Sequence, residues 1–183
     1  MREIEIKLRV QNLEELEKKL TDSGLVISKE ITQDDIVYVP KDVLEPFSNV
    51  KAGDTFIRIR KQNGINTLTL KQQRGVGLDK TEHETIIDNS EQMHQILLLM
   101  GWKAAVSVIK KRKKGKLGEY EICLDKVEGL GSFIELEKMT DDENADPGQI
   151  KKELFDALRP FELTEKDDET KGYDILMYQL KNK

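Results

Sequence analysis

Residues 2–10 alternate strictly, with Glu3, Glu5, Lys7 and Arg9 on one face and Ile4, Ile6, Leu8 and Val10 on the other. A period of two predicts a strand. The period changes at Asn12, an N-cap residue with Glu15 three positions on, and Leu13, Leu16 and Leu20 then line one face of a helix that Gly24 stops. Residues 25–39, with Val26, Ile27, Ile31, Ile36, Val37 and Val39, predict one long or bent strand, and Pro40 and Pro46 bracket a loop. Residues 54–72 predict a hairpin turning at Asn63-Gly64, a strong two-residue turn signal. Gly75 to Gly77 suggests a flexible connection and Lys80 to Asp88 a further strand.

The second half repeats the rhythm. Ser90 predicts a cap for a helix over 91–100 with Met93, Ile96, Leu97 and Met100 inward and Gly101 as its stop. Trp102–Lys111 and Leu117–Leu124 predict a hairpin turning at Lys114-Gly115, and a strand follows at Phe133–Glu137. Asp146-Pro147 opens a helix with Ile150, Leu154 and Leu158 on one face, and a short helix is expected over 173–180. No linker divides the chain, so residues 1–183 are expected to form a single domain.

The charged positions are sorted by sign. One parity carries Glu3/Glu5/Lys7/Arg9, Arg58/Arg60, Thr69/Lys71, Glu82/Glu84, Lys110/Arg112, Glu119/Glu121 and Glu135/Glu137, while the other holds Ile57, Ile59, Leu68, Leu70, Ile109, Ile122, Ile134 and Leu136. Helices packed on the apolar side leave the charged side either in bulk water or curled on itself. A plain solvated face is the simpler alternative. Like charges two apart on an exposed sheet repel with little return. Around a polyanion and a divalent cation they complement both, since carboxylates hold hard metals and Arg or Lys hold phosphate oxygens. A closed sheet of about eight strands leaves a lumen wide enough for side chains and a small ligand.

Composition narrows the field. The 183 residues are 37% hydrophobic and 36% charged, with 30 Lys and Arg against 35 Asp and Glu for a net charge of -5. That balance disfavours a general nucleic-acid binder. Cys123 is the single cysteine, which fits a reducing, cytoplasmic setting and excludes an internal disulfide. The N-terminus lacks the apolar core of a signal peptide, and the longest apolar run, Ile96 to Met100, is far too short to span a membrane.

Glu3-Ile-Glu5-Ile-Lys7 resembles the ExExK opening of the CYTH superfamily, the triphosphate tunnel metalloenzymes. The string is unspecific alone and gains weight from order. Arg58-Ile-Arg60 resembles the family's RxR strand, Thr67 to Lys71 its TLTxK strand, Glu82 and Glu84 the acidic pair, and Lys110 with Arg112 the KxR strand. Leu124 to Glu137 resembles the LDxVxGLGxFxExE block, and Lys171-Gly-Tyr173 lies near the late K-S-Y. The chain departs from cyclase-like members in having only Met1 and Arg2 before Glu3, Val37 near an expected aromatic, and Gly172 for Ser.

The resemblance implies an α+β fold, a closed eight-stranded antiparallel β-barrel with helices packed outside. It implies Mg²⁺ or Mn²⁺ on Glu3, Glu5, Glu135 and Glu137, with Asp125 and Glu84 assisting. Lys7, Arg58, Arg60, Lys71, Lys110 and Arg112 would cradle the triphosphate, joined by Lys171. The implied substrate is ATP, tripolyphosphate or thiamine triphosphate, with no nucleic-acid or membrane partner. The implied activity is that of a class IV adenylyl cyclase, with a triphosphatase or a non-catalytic phosphate sensor as alternatives.

Other residues read as structural. Gly129 and Gly131 lack the Lys-Ser or Lys-Thr of a phosphate loop. His83 has the wrong parity for a base, His94 sits in a helix, and Cys123 is expected to be inert. Lys111 and Lys113 should point outward, and Tyr38 and Tyr173 suit either packing or ligand contact.

Overall fold

The computed structural model describes residues 2–48, 50–74, 79–142 and 144–182. The Gly75–Gly77 stretch, read above as a flexible connection, lies outside the described residues. Eight strands form one closed antiparallel barrel: β1 (Arg2–Val10), β2 (Ile31–Pro40), β3 (Thr55–Gln62), β4 (Ile65–Gln73), β5 (Asp79–Ile87), β6 (Trp102–Leu117), β7 (Tyr120–Val127) and β8 (Gly131–Thr140). Around the barrel their order is β1-β5-β4-β3-β2-β6-β7-β8. The seam between β1 and β5 is short, from Arg2 opposite Thr81 to Ile4 opposite Asp79. A buried ion pair reinforces it, with Arg2 Nε and Nη2 donating to the two Asp79 carboxylate oxygens at 2.9 and 2.8 Å.

Three helices cover the outside. In α1 (Leu13–Asp22), Leu13, Leu16 and Leu20 pack with Ile150, Leu154 and Leu158 of α3 (Pro147–Leu158) over Ile4, Ile6, Ile122, Ile134 and Leu136. In α2 (Ser90–Leu99), Leu97 covers Ile57 and Ile59. The outer face is not covered everywhere, since Leu70, Ile86 and Ile109 remain exposed. The fourth helix, α4 (Tyr173–Lys181), closes one end of the barrel: Tyr173 and Met177 pack against Val37, Val106, Val108, Val127 and Phe133. Among the described residues no helix is long and apolar enough to cross a membrane.

Local signals set most boundaries. Asn12 caps α1 through Glu15 N, and Asp146 caps α3 through Gly148 N. Asn63 and Gly64 both have positive φ, 50° and 77°, as a type I′ turn requires. Three expectations are corrected. Residues 25–30 are not a strand but run beside β6, where Ser28 N donates to Lys114 O at 2.7 Å and Lys114 N to Ser28 Oγ at 2.9 Å. The β6–β7 turn falls at Gly118-Glu119, so Gly115 stays in the strand; a Cβ there would lie 2.9 Å from both Ile27 Cδ1 and Val26 O. Asn89, not Ser90, caps α2, whose buried face runs through Ser90 and Leu97 and leaves Ile96 and Met100 exposed.

Candidate active site in the barrel lumen

The charged parity faces inward. A cavity of about 240 Å³ lies inside the barrel, lined by Glu3, Glu5, Lys7, Arg58, Arg60, Lys71, Glu82, Glu84, Lys110, Arg112, Glu135 and Glu137 among others. All eight strands alternate, so closure turns sign-sorted faces into one ring of charge.

Strand register decides what each charge meets. Arg60 lies opposite Asp35, Lys71 opposite Glu82, Lys7 opposite Glu135 and Arg112 opposite Asp125. Each of these pairs is closed by an ion pair. Arg60 Nε and Nη2 each lie 2.7 Å from an Asp35 oxygen. Lys7 Nζ is 3.3 Å from Glu135, Lys71 bonds Glu82, and Arg112 bonds both Asp125 and Glu135. Glu5 and Glu137 break the pattern: they face each other across β1 and β8, and Glu121 of β7 faces Glu137 on its other side. Like charges directly opposite are destabilising.

The protonation behaviour follows. Burial pushes the Glu3 carboxyl up to about 7, with Glu5 and Glu82 adding to it against the pull of Lys71. Burial likewise lifts Glu137 to about 7, aided by Glu3 and Glu135, and raises Glu5, aided by Glu135. Glu135 is also buried, but Arg112, Lys7 and Lys110 hold it well below the carboxylate range. Asp35, despite burial, is held at about 2 by Arg60 and Arg58.

Glu3, Glu5 and Glu137 each bring a carboxylate oxygen within 4.8 Å of the others. Three crowded carboxylates, raised by burial and mutual repulsion, suit a hard divalent cation such as Mg²⁺ or Mn²⁺. Asp125 is differently placed. It is fully buried and accepts from Arg112 Nε at 2.7 Å, Arg112 Nη2 at 2.5 Å, Lys110 Nζ at 3.3 Å and Tyr173 Oη at 2.9 Å. Its oxygens are occupied by donors, so it holds the basic groups rather than adding to the acidic trio. Glu135 is engaged in the same way.

The basic groups are fixed from behind. The Lys7 ammonium sits 4.1 Å and that of Lys110 4.8 Å from the Tyr173 ring centre, and Lys7 also donates to Lys171 O at 3.3 Å. Burial, then Arg112, lowers the Lys110 pKa. Arg58 donates to Thr69 Oγ1 at 3.2 Å and approaches Glu84 at 3.5 Å, while its buried Nε has no partner among the described residues. Such an orphaned donor at a charged cavity marks room for an anionic acceptor.

Some expected site residues lie elsewhere. The Lys171 ammonium bonds Gln179 at 3.1 Å and does not line the cavity; only its carbonyl reaches Lys7. Arg9 turns to Glu169 at 2.8 Å, and Glu119 lies in the β6–β7 turn. Lys111 and Lys113 point outward to Glu30 and Glu17. Tyr38 is buried outside the lumen, bonded to His94 Nδ1 at 2.7 Å. Asp35, Lys80, Lys114 and Asp174 line the cavity and were not singled out. Parity signalled Asp35 through Gln33 and Val37, and Lys80 through Glu82 and Glu84. Lys114 reaches the lumen because the β6–β7 turn falls at Gly118-Glu119, four residues beyond Lys114-Gly115, and Asp174 enters only because α4 closes the barrel end.

Comparison with known proteins agrees with this geometry. The chain is 29% identical over 177 residues to a candidate adenylate cyclase of Methanocaldococcus jannaschii, covering 94% of this chain and 97% of that protein. It is 26% identical over 177 residues to the adenylate cyclase CyaB of Aeromonas hydrophila, covering 97% and 89%. The PH1012 protein of Pyrococcus horikoshii has the same fold, with a TM-score of 0.76, 27% identity, and coverage of 96% of this chain and 98% of that one. The CYTH domain pattern matches residues 1–173, and with that match and the charged lumen the chain belongs to the CYTH family.

Proposed function

We propose that the protein binds a triphosphate in the barrel lumen, with a divalent cation on Glu3, Glu5 and Glu137, and cleaves it. The observation that carries this reading is the row of facing glutamates, Glu5, Glu137 and Glu121, in a wall where the other facing charges are opposite in sign. A bound Mg²⁺ or Mn²⁺ supplies charge neutralisation and orientation of phosphate oxygens. Arg58, Arg60, Lys71, Lys110 and Arg112 bind the remaining oxygens. Asp35 and Asp125 hold the guanidinium planes of Arg60 and Arg112, so these donors need no reorganisation as charge builds on the oxygens of the transferring phosphoryl group. Phosphoryl transfer held in line needs positioning and electrostatics more than covalent help.

The finer reading is adenylyl cyclase, after the names of both curated relatives. The ribose 3′-oxygen would attack the α-phosphorus, losing its proton, while the bond to the β-phosphate bridging oxygen breaks to give cAMP and pyrophosphate. A triphosphatase, with water attacking a terminal phosphorus, is favoured by a different observation. The lumenal cavity is about 240 Å³ and its apolar lining is confined to Val37, Phe56, Val108 and Tyr173, which suits a phosphate chain alone. The test is a product assay with ATP, tripolyphosphate and thiamine triphosphate, each with Mg²⁺ or Mn²⁺, resolving cAMP from orthophosphate. Tight binding without either product supports a sensor and overturns cleavage.

A further inference from the structure

Leu70 and Ile109 are left in water singly on the barrel wall, which is ordinary for a folded chain. The C-terminal half of α2 is different. Leu97 turns to the core there, while Ile96, Leu98, Leu99 and Met100 are all exposed, Leu99 at 88% and Met100 at 67%. Ile96, Leu99 and Met100 fall at i, i+3 and i+4, so they form one stripe facing away from the barrel. A surface helix normally turns charge to the solvent. Here residues 92–102 hold no Asp, Glu, Lys or Arg in a chain that is 36% charged. Their one titratable side chain, His94, is turned to Tyr38 Oη at 2.7 Å.

The patch continues past the end of the helix. Lys41 N donates to Gly101 O at 2.8 Å and Lys103 Nζ to Val43 O at 2.5 Å, which ties the start of the β2–β3 loop beside α2. Val43 is exposed there and Leu44 more so, at 89%. The six side chains together leave on the order of 600 Å² of apolar surface in water, as much as the largest patch on a typical monomer. A standard interface takes roughly 800 Å² from each partner. The patch with its exposed polar margin, Gln92 and Gln95, reaches that size and has the charge-depleted centre of an interface core.

We propose that this patch is the isologous interface of a homodimer, in which the α2 helices of two copies pack antiparallel about a two-fold axis beside Leu99. The ends of the patch differ in sign. Exposed Asp88 and Glu91 precede its apolar part, and Lys41 and Lys103 lie where it ends. Antiparallel pairing sets the acidic end of each copy over the basic end of the other, whereas parallel pairing sets like charge against like. The lumen takes no part in this contact, so the dimer stands or falls independently of the triphosphate reading.

Sedimentation equilibrium of the full chain reads the association directly. Expected is a dimer with a dissociation constant of about 10 µM or below. Leu99→Glu places a charge at the centre of the contact from both copies and should weaken association about a hundredfold or more. Met100→Lys is a second disrupting variant, and circular dichroism spectra show that each variant keeps the fold. Glu91→Lys should weaken association about tenfold at low salt, because it sets like charges together across the axis. Val26→Glu alters an equally exposed apolar residue, 85% in water beside Gly115 at the far end of β6, and should change association by less than about threefold. A parent that stays monomeric at about 100 µM overturns the interface. So does a dimer that survives both Leu99→Glu and Met100→Lys, or one that Val26→Glu breaks as readily. A dimer indifferent to Glu91→Lys overturns the antiparallel arrangement.

Discussion

Glu135 and Glu137 sit two residues apart on β8 and point into the same lumen, the first buried and the second half-buried, yet they are opposite in character. Glu135 lies between Lys7 and Arg112 and its carboxyl is held well below the ordinary range. Glu137 lies between Glu5 and Glu121, and burial with Glu3 and Glu135 lifts it to about 7. The same side chain on the same strand is a satisfied counter-ion in one place and, in the other, one of the crowded carboxylates proposed to hold a cation. The neighbouring strands make the difference. Asp125 belongs with Glu135 and Asp35, the acids that fix basic groups; Glu3 and Glu5 belong with Glu137.

The largest effect expected from this contrast is on stability. Asp125→Asn removes the charge that Arg112, Lys110 and Tyr173 share in a fully buried site. Breaking a buried pair from one side costs about 3–5 kcal/mol, to be read from urea unfolding. Glu137→Gln should leave the metal-free fold within about 1 kcal/mol of the parent, because it relieves repulsion between facing acids. A Glu137→Gln loss as large as that of Asp125→Asn would erase the distinction.

Metal affinity should invert the ranking of positions. Glu5→Gln and Glu137→Gln each remove a hard anionic group from the proposed cation site, so Mn²⁺ affinity by calorimetry should fall about tenfold or more. Glu84→Gln, whose carboxylate accepts from Thr69 Oγ1 at 2.7 Å and lies outside the acidic trio, should change it by less than about threefold. Equal losses at all three positions would spread the metal site along the barrel.

The pH dependence of stability should have opposite signs in the two groups. Asp35 is lowered from 3.8 to about 2, so its contribution is present above about pH 4 and is lost as pH falls through 2. Glu3 and Glu137 are raised from 4.5 to about 7, so the metal-free native state keeps protons that the unfolded chain has released. Their contribution is full below pH 4.5 and is lost as pH rises through 7. Unfolding midpoints in EDTA should show Asp35→Asn flattening the acid limb and Glu137→Gln the limb between pH 4.5 and 7. Unchanged limbs would contradict the assignment.

The smallest effect tests parity on β6. Lys111→Ala and Lys113→Ala, which lose only outward ion pairs to Glu30 and Glu17, should alter turnover by less than about threefold. Arg112→Ala, facing inward between them, should lower turnover by roughly thirtyfold or more, with melts as the folding control. If the outward pair costs as much, this hairpin contributes its outer surface to the activity.

Much of this was legible because a strand writes its two faces into sequence at a period of two. Ile4, Ile6 and Leu8 against Glu5 and Lys7 announce an apolar outside and a charged inside before any contact is known. Caps and turns are equally local, as Asn12, Asp146 and Asn63-Gly64 show. Where local signals competed, the longer-range contact won. Gly115 looked like a turn beside Lys114, but it is a strand residue kept without a Cβ by Ile27 and Val26. Asn89 and Ser90 are both good caps, and only the packing of Leu97 on β3 sets which one starts α2.

The sequence by itself determined the alternation, the sorting of charge by strand and the helices that cover the apolar side. Those depend on residues a few positions apart. Only the tertiary structure decided that β8 lies between β1 and β7, and hence that Glu137 meets Glu5 and Glu121 while Glu135, two residues away, meets Lys7 and Arg112. A carboxylate's role is set by the charges within a few ångströms of it. Here some of those charges, such as Lys7 beside Glu135, come from a strand more than a hundred residues away in the chain.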